Sequence, residues 1–179
     1  MDPEHSKHNW YVITGASCSG KTTLASALEE RGYRVVHEVA RTFIDDHMAQ
    51  GETVEDIRKD EPLFQKKVLE VKIKIERDLD KDQLVFFDRG IPDTCAYDTL
   101  HQAPPNPILD KASKECKYKK VFLLDQLPFT EDYARTETKE QQDQLHGLLK
   151  EAYRRLGFPI IEVPVLPIEE RVEFVLRNL

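Results

Sequence analysis

One octapeptide carries the residue types and spacing that hold a phosphate chain. It reads GASCSGKT over residues 15–22 and follows a short apolar run, WYVIT. The two glycines permit backbone angles that turn successive N–H groups inward on a phosphate. Lys21 supplies charge for the β- and γ-phosphates, and the Thr22 hydroxyl suits Mg²⁺, a cation that prefers oxygen ligands. This is the spacing of a phosphate-binding P-loop, and it predicts a bound nucleoside triphosphate.

The surroundings of the octapeptide support the same chemistry. WYVIT has the composition of a short buried strand, and KTTLASALEER places Leu24, Ala25 and Leu28 on one helical face. A helix that starts at the loop offers its free N–H groups and the positive end of its dipole to an anion. We therefore predict that ATP is bound by Gly15, Ala16, Ser17, Cys18, Ser19, Gly20, Lys21, Thr22 and Thr23.

Two strand-ending aspartates are candidates to complete a Mg²⁺ site with Thr22. Asp88 closes the run LVFFD, and Asp125 closes VFLLD. We favour Asp88 because Arg89 follows at once, and a guanidinium there can clamp an acceptor or the transferring phosphate. The alternative for the tripeptide DRG is a turn in which Asp88 and Arg89 form an ion pair and Gly90 serves the backbone. The predicted metal ligands are Thr22 and Asp88.

Further charged side chains complete the predicted site. Glu38 ends the second apolar run three residues before Arg41, and its carboxylate can accept a proton from an attacking hydroxyl. The alternative for Glu38 is a glutamate favoured by a helix dipole. Arg135, or Lys139, can stabilise the charge that develops in phosphoryl transfer, although both could be solvated. The predicted catalytic residues are Lys21, Glu38, Asp88, Arg89 and Arg135, and the predicted acceptor-binding residues are Glu38, Arg41 and Arg89.

Five short apolar runs alternate with helical patterns along the chain. The runs are WYVIT, YRVVHE, QLVFFD, KKVFLLD and PIIEV, and Asp93 is predicted to cap a short helix after the third. This alternation predicts an α/β fold in which helices cover both faces of a parallel sheet. The lysines and glutamates of the helix after Pro62 are interpreted as a solvated outer face. Residues 126–138 show no clean period and are predicted to form a mobile lid.

Composition sets the outer bounds on what the chain can be. Its 179 residues suit one domain, predicted at 10–179 behind a disordered tail at 1–9. The chain contains no apolar run of the roughly 20 residues that cross a membrane, so we predict no membrane association. The net charge of −7 disfavours a nucleic-acid partner. Three cysteines without ligand spacing indicate a reducing interior, and we predict a cytoplasmic protein.

Three stretches together resemble a known family. They are VITGASCSGKTTLASALEERGYRVVHEVAR, FFDRGIPDTCAY and AYRRLGFPIIEVPVLPIEERVEFVL. These look like a small AAA-type P-loop ATP-binding domain, and the family's best understood relative is the ribosylnicotinamide kinase domain of a bifunctional NAD-biosynthesis regulator. The resemblance runs from about Trp10 to the C-terminus. It implies a nucleoside-kinase-like P-loop NTPase fold with a five-stranded parallel sheet in the order 2-3-1-4-5, and a lid.

The resemblance extends more distantly to deoxynucleoside kinases. In those enzymes a glutamate after the second strand is the base, and an Asp-Arg pair follows the third strand; Glu38 and Asp88–Arg89 occupy the corresponding places. The chain lacks the proline and tryptophan that accompany that glutamate, which leaves the acceptor open. The stretch also shows no adenylyltransferase domain, so the regulator's role is not carried over.

The sequence therefore predicts a phosphotransferase that uses ATP and Mg²⁺. Its partner is predicted to be a small hydroxyl-bearing phosphate acceptor, such as a nucleoside or nucleotide, and the question of a protein partner is left open. The alternative is a nucleotide-binding ATPase switch that works through a partner protein. A third, less favoured function is a nucleic-acid end kinase.

Overall fold

The computed structural model describes residues 8–127 and 138–179. Most of the predicted N-terminal tail lies outside these residues, as do residues 128–137 of the predicted lid. Five strands are described, and all of them pair in one sheet: β1 Trp10–Thr14, β2 Arg34–Val36, β3 Val85–Asp88, β4 Lys120–Leu124 and β5 Ile160–Val163. The described part of the chain also holds eight helices: α1 Lys21–Glu30, α2 Val39–Met48, α3 Val54–Ile57, α4 Glu61–Asp78, α5 Ile91–Leu100, α6 Pro107–Glu115, α7 Lys139–Arg155 and α8 Ile168–Arg177.

The sheet is parallel throughout, with the order β2-β3-β1-β4-β5. The predicted fold class and strand order are confirmed. In parallel sheets of this kind the order reverses beside the first strand, and ligands bind at the carboxyl ends of the strands at that point. The octapeptide follows β1 directly, so it lies at this edge of the sheet.

The core has two layers because the side chains of a strand alternate between the faces of a sheet. On one face, Trp10 and Val12 of β1 pack in a buried cluster that also holds residues of α4 and α6. On the other face, Tyr11 and Ile13 pack in a cluster with residues of α1 and α8. Both faces of β1 are thus covered, which accounts for the unbroken apolar run WYVIT.

Local signals position several helix ends as the sequence predicts. Thr53 forms a capping box with Asp56 at the start of α3, and Pro62 lies in the first turn of α4. Gly157 has a left-handed φ of 77° just after α7. The prediction that Asp93 caps α5 is wrong, because the helix already begins at Ile91. Asp93 lies in its first turn, where its carboxylate accepts a hydrogen bond from the Gly90 N–H at 2.9 Å.

Among residues 8–127 and 138–179, none of the helices combines the length and the apolar composition that crossing a bilayer requires.

Candidate functional site

The loop between β1 and α1 has the backbone of an anion cradle. Gly20 precedes α1 in a left-handed conformation, with φ 81°. Gly15 also has a positive φ, and a Cβ there would lie 2.7 Å from Ser19 Oγ and 2.9 Å from the Leu124 carbonyl oxygen. No side chain caps α1 in the part of the chain that the structure describes, and its first turn carries no acidic residue. The N–H groups of that turn are therefore available to a phosphate.

The interior of the loop is lined by donors. Lys21 is 2% exposed, and its Nζ donates to the Ala16 carbonyl at 2.8 Å and to Ser19 Oγ at 3.2 Å. The Ser17 hydroxyl is buried and has no hydrogen-bond partner among the described residues. Cys18 adopts a positive φ of 59°, and its carbonyl accepts from the Leu127 N–H at 3.0 Å. A buried ammonium and an unsatisfied buried hydroxyl in one loop are groups that an anion would satisfy.

Thr22 and Asp88 face one another across the mouth of this loop. Thr22 Oγ1 donates to Asp88 Oδ2 at 3.4 Å, and Asp88 is 2% exposed. The second carboxylate oxygen, Oδ1, is buried and finds no partner within residues 8–127 and 138–179. Burial, and next the charge of Glu38, raise the pKa of Asp88 to about 6. A hydroxyl beside an unsatisfied buried carboxylate is a donor set that fits Mg²⁺.

Asp125, the rival to Asp88, lies in different surroundings. It follows β4 directly and is half-buried, and its N–H donates to the Val163 carbonyl at 3.0 Å. Its charge acts on Arg171 and raises that residue's pKa, although burial has the larger, opposite effect. The described contacts thus associate Asp88 with Thr22, and Asp125 with α8.

Glu38 and Arg89 form a shielded ion pair beside the loop. Arg89 Nε donates to Glu38 Oε1 at 3.1 Å, and the side chains are 5% and 15% exposed. Glu38 directly precedes α2, but its side chain caps no helix N–H and pairs with Arg89. Arg89 Nη1 lies 3.4 Å from the Gly15 carbonyl, so the same guanidinium touches the phosphate loop. The alternative of an Asp88–Arg89 ion pair is not what the structure shows, because Arg89 pairs with Glu38 and Asp93.

Arg89 is held in a rigid polar setting. The backbone of Arg89 has a positive φ of 73°, a conformation that is uncommon for any residue except glycine. The guanidinium carbon lies 5.3 Å from the centre of the Tyr97 ring. Burial alone would lower the pKa of Arg89, but Tyr97 and the carboxylates of Glu38 and Asp93 raise it well above its ordinary value. The arginine is thus a fixed cation at every working pH.

A pocket opens from this ion pair between α2, α4 and α5. Both charged and apolar side chains line the pocket. They include Glu38, Arg41, Ile44, Arg58, Phe64, Val68, Lys72, Arg89 and Tyr97. Arg41 is half-buried and lies about one helical turn after Glu38. This position is consistent with the prediction that both residues bind the acceptor. The structure therefore brings Glu38, Arg41 and Arg89 together in one pocket. Arg135 lies outside the described residues, and its role stays a prediction.

Sequence reasoning missed two buried cations near the site. Lys72 was assigned to a solvated face, yet it is 8% exposed, and its Nζ donates to the Gly90 carbonyl at 3.0 Å. The sequence does contain a signal for this burial, because Lys72 lies four residues after Val68 and so shares the apolar face of α4. Arg171 of α8 is 3% exposed, and its Nη1 donates to the Ser19 carbonyl at 2.7 Å. It directly precedes Val172 on the buried face of its helix.

Comparison with known proteins places the chain in a family. The family model described as "AAA domain" matches residues 10–171, which is most of the chain. No curated protein matches it closely enough to count as a relative.

Solved structures share the fold at low sequence identity. A deoxyadenosine kinase from M. mycoides with bound dCTP is 14% identical, with a TM-score of 0.65 over 94% of this chain and 97% of that one. A thymidylate kinase from Candida albicans is 18% identical, with a TM-score of 0.65 over 96% and 91%. The NadR protein in complex with NR is 16% identical, with a TM-score of 0.68 over 94% of this chain and 50% of that one.

Proposed function

Because the chain belongs to the AAA domain family, we propose that it is an ATP- and Mg²⁺-dependent phosphotransferase. Its acceptor is a small hydroxyl-bearing molecule such as a nucleoside or nucleotide. One observation carries the proposal: Arg89 contacts both the Gly15 carbonyl of the phosphate loop and the Glu38 carboxylate of the neighbouring pocket. A phosphate donor and an acceptor bound in these two places would meet at Arg89. Deoxyadenosine kinase and thymidylate kinase structures share the fold, which supports this acceptor class.

On the donor side, the loop N–H groups and Lys21 bind the triphosphate. Thr22 and Asp88 would hold Mg²⁺, and the ion would supply positive charge that neutralises the phosphate oxygens. Asp88 is suited to this because its Oδ1 has no other partner in the described chain. Little covalent chemistry is required of the protein, since positioning and charge stabilisation carry most of phosphoryl transfer.

On the acceptor side, Glu38 and Arg89 have separate tasks. The acceptor hydroxyl attacks the γ-phosphorus, its proton passes to Glu38, and ADP leaves with the electrons of the broken P–O bond. Arg89 offers its remaining N–H groups to the acceptor or to the transferring phosphate, and Arg41 lines the same pocket. The sequence prediction of Arg135 as a further charge-stabilising group is retained as part of this proposal.

An acceptor screen tests the proposal. Nucleosides, deoxynucleosides and their monophosphates are each incubated with ATP, Mg²⁺ and the protein, and ADP release is compared with the rate without acceptor. We expect release to rise with at least one of these compounds, and a phosphorylated product to appear in equal amount. Release that is the same with and without every acceptor would instead favour the ATPase switch.

A further inference from the structure

The backbone after Arg89 is held by buried side chains from distant parts of the chain. The Gly90 N–H donates to Asp93 Oδ2 at 2.9 Å and to the Tyr153 hydroxyl at 3.2 Å. The Gly90 carbonyl accepts from Lys72 Nζ at 3.0 Å. These partners come from α5, α7 and α4. Buried polar groups of this number are unfavourable unless all are satisfied, so their convergence on the backbone of one residue, Gly90, indicates a conformation that must be maintained.

The conformation in question is that of Arg89 itself. Its positive φ of 73° is unfavourable for a side chain with a Cβ, and it persists only where the surroundings enforce it. Gly90 leaves no room for variation, because a Cβ there would lie 2.7 Å from the Tyr153 hydroxyl and 2.9 Å from that of Tyr118. Both tyrosine hydroxyls therefore lie directly beside Gly90.

The two tyrosines nevertheless differ in what their hydroxyls reach. The Tyr153 hydroxyl donates to Asp93 Oδ2. The other oxygen of Asp93, Oδ1, accepts from Thr14 Oγ1 at 2.6 Å and lies 3.4 Å from Arg89 Nη1. Burial and the Asp93 charge raise the pKa of Tyr153, so its hydroxyl stays a donor. Tyr153 thus holds the Asp93 carboxylate in the position where it contacts the Arg89 guanidinium.

Tyr118 makes no equivalent link. Its hydroxyl accepts from the Ile91 N–H at 3.0 Å and donates to Glu76 Oε1. Both tyrosines are fully buried. They form a matched pair of buried hydroxyls on one turn, and within residues 8–127 and 138–179 only the Tyr153 hydroxyl hydrogen-bonds a partner of Arg89.

We propose that Tyr153 is a positioning residue for Arg89, acting through Asp93. The inference rests on the proposed function, in which Arg89 binds the acceptor or the transferring phosphate. It means that a residue of α7 determines how the Arg89 guanidinium is oriented. Tyr153 itself is not among the residues that line the pocket. Its effect is therefore expected on the orientation of the guanidinium and not on the phosphate loop.

The test follows the Nε–H group of Arg89 by NMR in ¹⁵N-labelled protein at neutral pH. Arg89→Lys assigns the resonance by its loss. In the unmodified protein, hydrogen exchange at this group should be slower than at the exposed Arg34 of β2. In Tyr153→Phe, exchange should accelerate about tenfold and the resonance should shift. This is the effect expected when the hydrogen bond from the Tyr153 hydroxyl to the charged Asp93 carboxylate is lost. Tyr118→Phe should leave both readouts unchanged.

Several outcomes would overturn the proposal. One is unchanged exchange in Tyr153→Phe, and another is equal acceleration in both phenylalanine variants, which would mean a general loosening of the turn. If Tyr153→Phe does not fold, the unmodified protein still decides, because exchange at Arg89 as fast as at the exposed Arg34 excludes a held guanidinium. Binding of the ATP analogue AMP-PNP with Mg²⁺ is measured separately, and its absence would count against the proposed function alone.

Discussion

At the residue scale, Lys21 is the clearest test of the phosphate loop. Its ammonium is buried and donates to the loop's own Ala16 carbonyl, and in the proposed function it would neutralise an incoming phosphate. We expect Lys21→Ala to lower the affinity for AMP-PNP by at least about tenfold, since a charge-assisted contact is lost. The measurement is titration calorimetry, with circular dichroism to confirm the fold. Lys74→Ala, on the exposed side of α4, is the charge-matched control.

Undiminished AMP-PNP binding by Lys21→Ala, or an unfolded variant, would contradict the assignment of this loop. An equal loss in Lys74→Ala would show that the effect is one of net charge.

The choice between two aspartates is decided by a second pair of variants. Asp88→Asn keeps the shape of the side chain but removes the charge that a metal or its bound waters require. We expect its Mg²⁺-dependent turnover to fall by about 10- to 100-fold, the usual effect of changing such a partner. Asp125→Asn should have a much smaller effect because its described contacts involve Val163 and α8.

Steady-state rates over a range of Mg²⁺ concentrations measure this difference. The assay belongs at pH 7.5, above the raised pKa of Asp88 of about 6, where its carboxylate is ionised. Equal losses, or a larger loss in Asp125→Asn, would reverse the choice of metal ligand.

At the element scale, α8 supports the phosphate loop from behind. Arg171 spans two segments, donating to the Ser19 carbonyl at 2.7 Å and to the Pro164 carbonyl at 3.1 Å. We expect Arg171→Gln to reduce the free energy of unfolding by about 1–3 kcal/mol, because buried carbonyls lose their partners. The affinity for AMP-PNP should fall as well, because the phosphate loop loses the hydrogen bond from Arg171 to the Ser19 carbonyl. Urea denaturation and calorimetry measure the two effects.

The control for this variant lies on the same helix. Arg177 is exposed, and its Nε donates to the Glu173 carbonyl one turn earlier. Arg177→Gln should change neither quantity. A stability loss in Arg171→Gln without any change in nucleotide affinity would separate α8 from the function of the loop.

The elements themselves could be predicted from the sequence, whereas the pairing of side chains across them could not. Runs such as WYVIT and VFLL are apolar on both faces, which identifies buried parallel strands without knowledge of their neighbours. The phosphate loop is likewise a local pattern. The Glu38–Arg89 pair joins residues 51 positions apart and depends on the placement of β2 beside β3. Spacing indicates that Lys72 shares a face with Val68, but not that this face meets the Gly90 carbonyl.

At the scale of the whole molecule, the half-buried carboxyl of Glu76 makes stability depend on pH near neutrality. Burial raises the pKa of Glu76 from 4.5 to about 7. The folded state thus keeps a proton that the unfolded state releases near pH 4.5. Stability therefore falls as pH rises from 4.5 to 7, and the loss is complete above pH 7. We expect Glu76→Gln to be more stable than the unmodified protein at pH 8 by up to about 3 kcal/mol.

Urea denaturation between pH 5 and pH 8 measures this effect. The two proteins should approach one another as pH falls, because Glu76 becomes neutral and resembles glutamine. Glu70→Gln, exposed on the same helix, should follow the unmodified protein at every pH. A constant difference between Glu76→Gln and the unmodified protein would show that the carboxyl does not titrate in this range.

The strand order also has a consequence for the timing of synthesis. Trp10 of β1 pairs with Val85 of β3, and its neighbour Tyr11 pairs with Lys120 of β4. At about 5–20 residues per second, a ribosome needs roughly 4–15 s to add the 75 residues that separate Trp10 from Val85. During that interval β1, which is buried along its whole length in the folded protein, has neither neighbour. The central strand is made before both strands that flank it, so β1 stays open to a chaperone until β3 and β4 have been made.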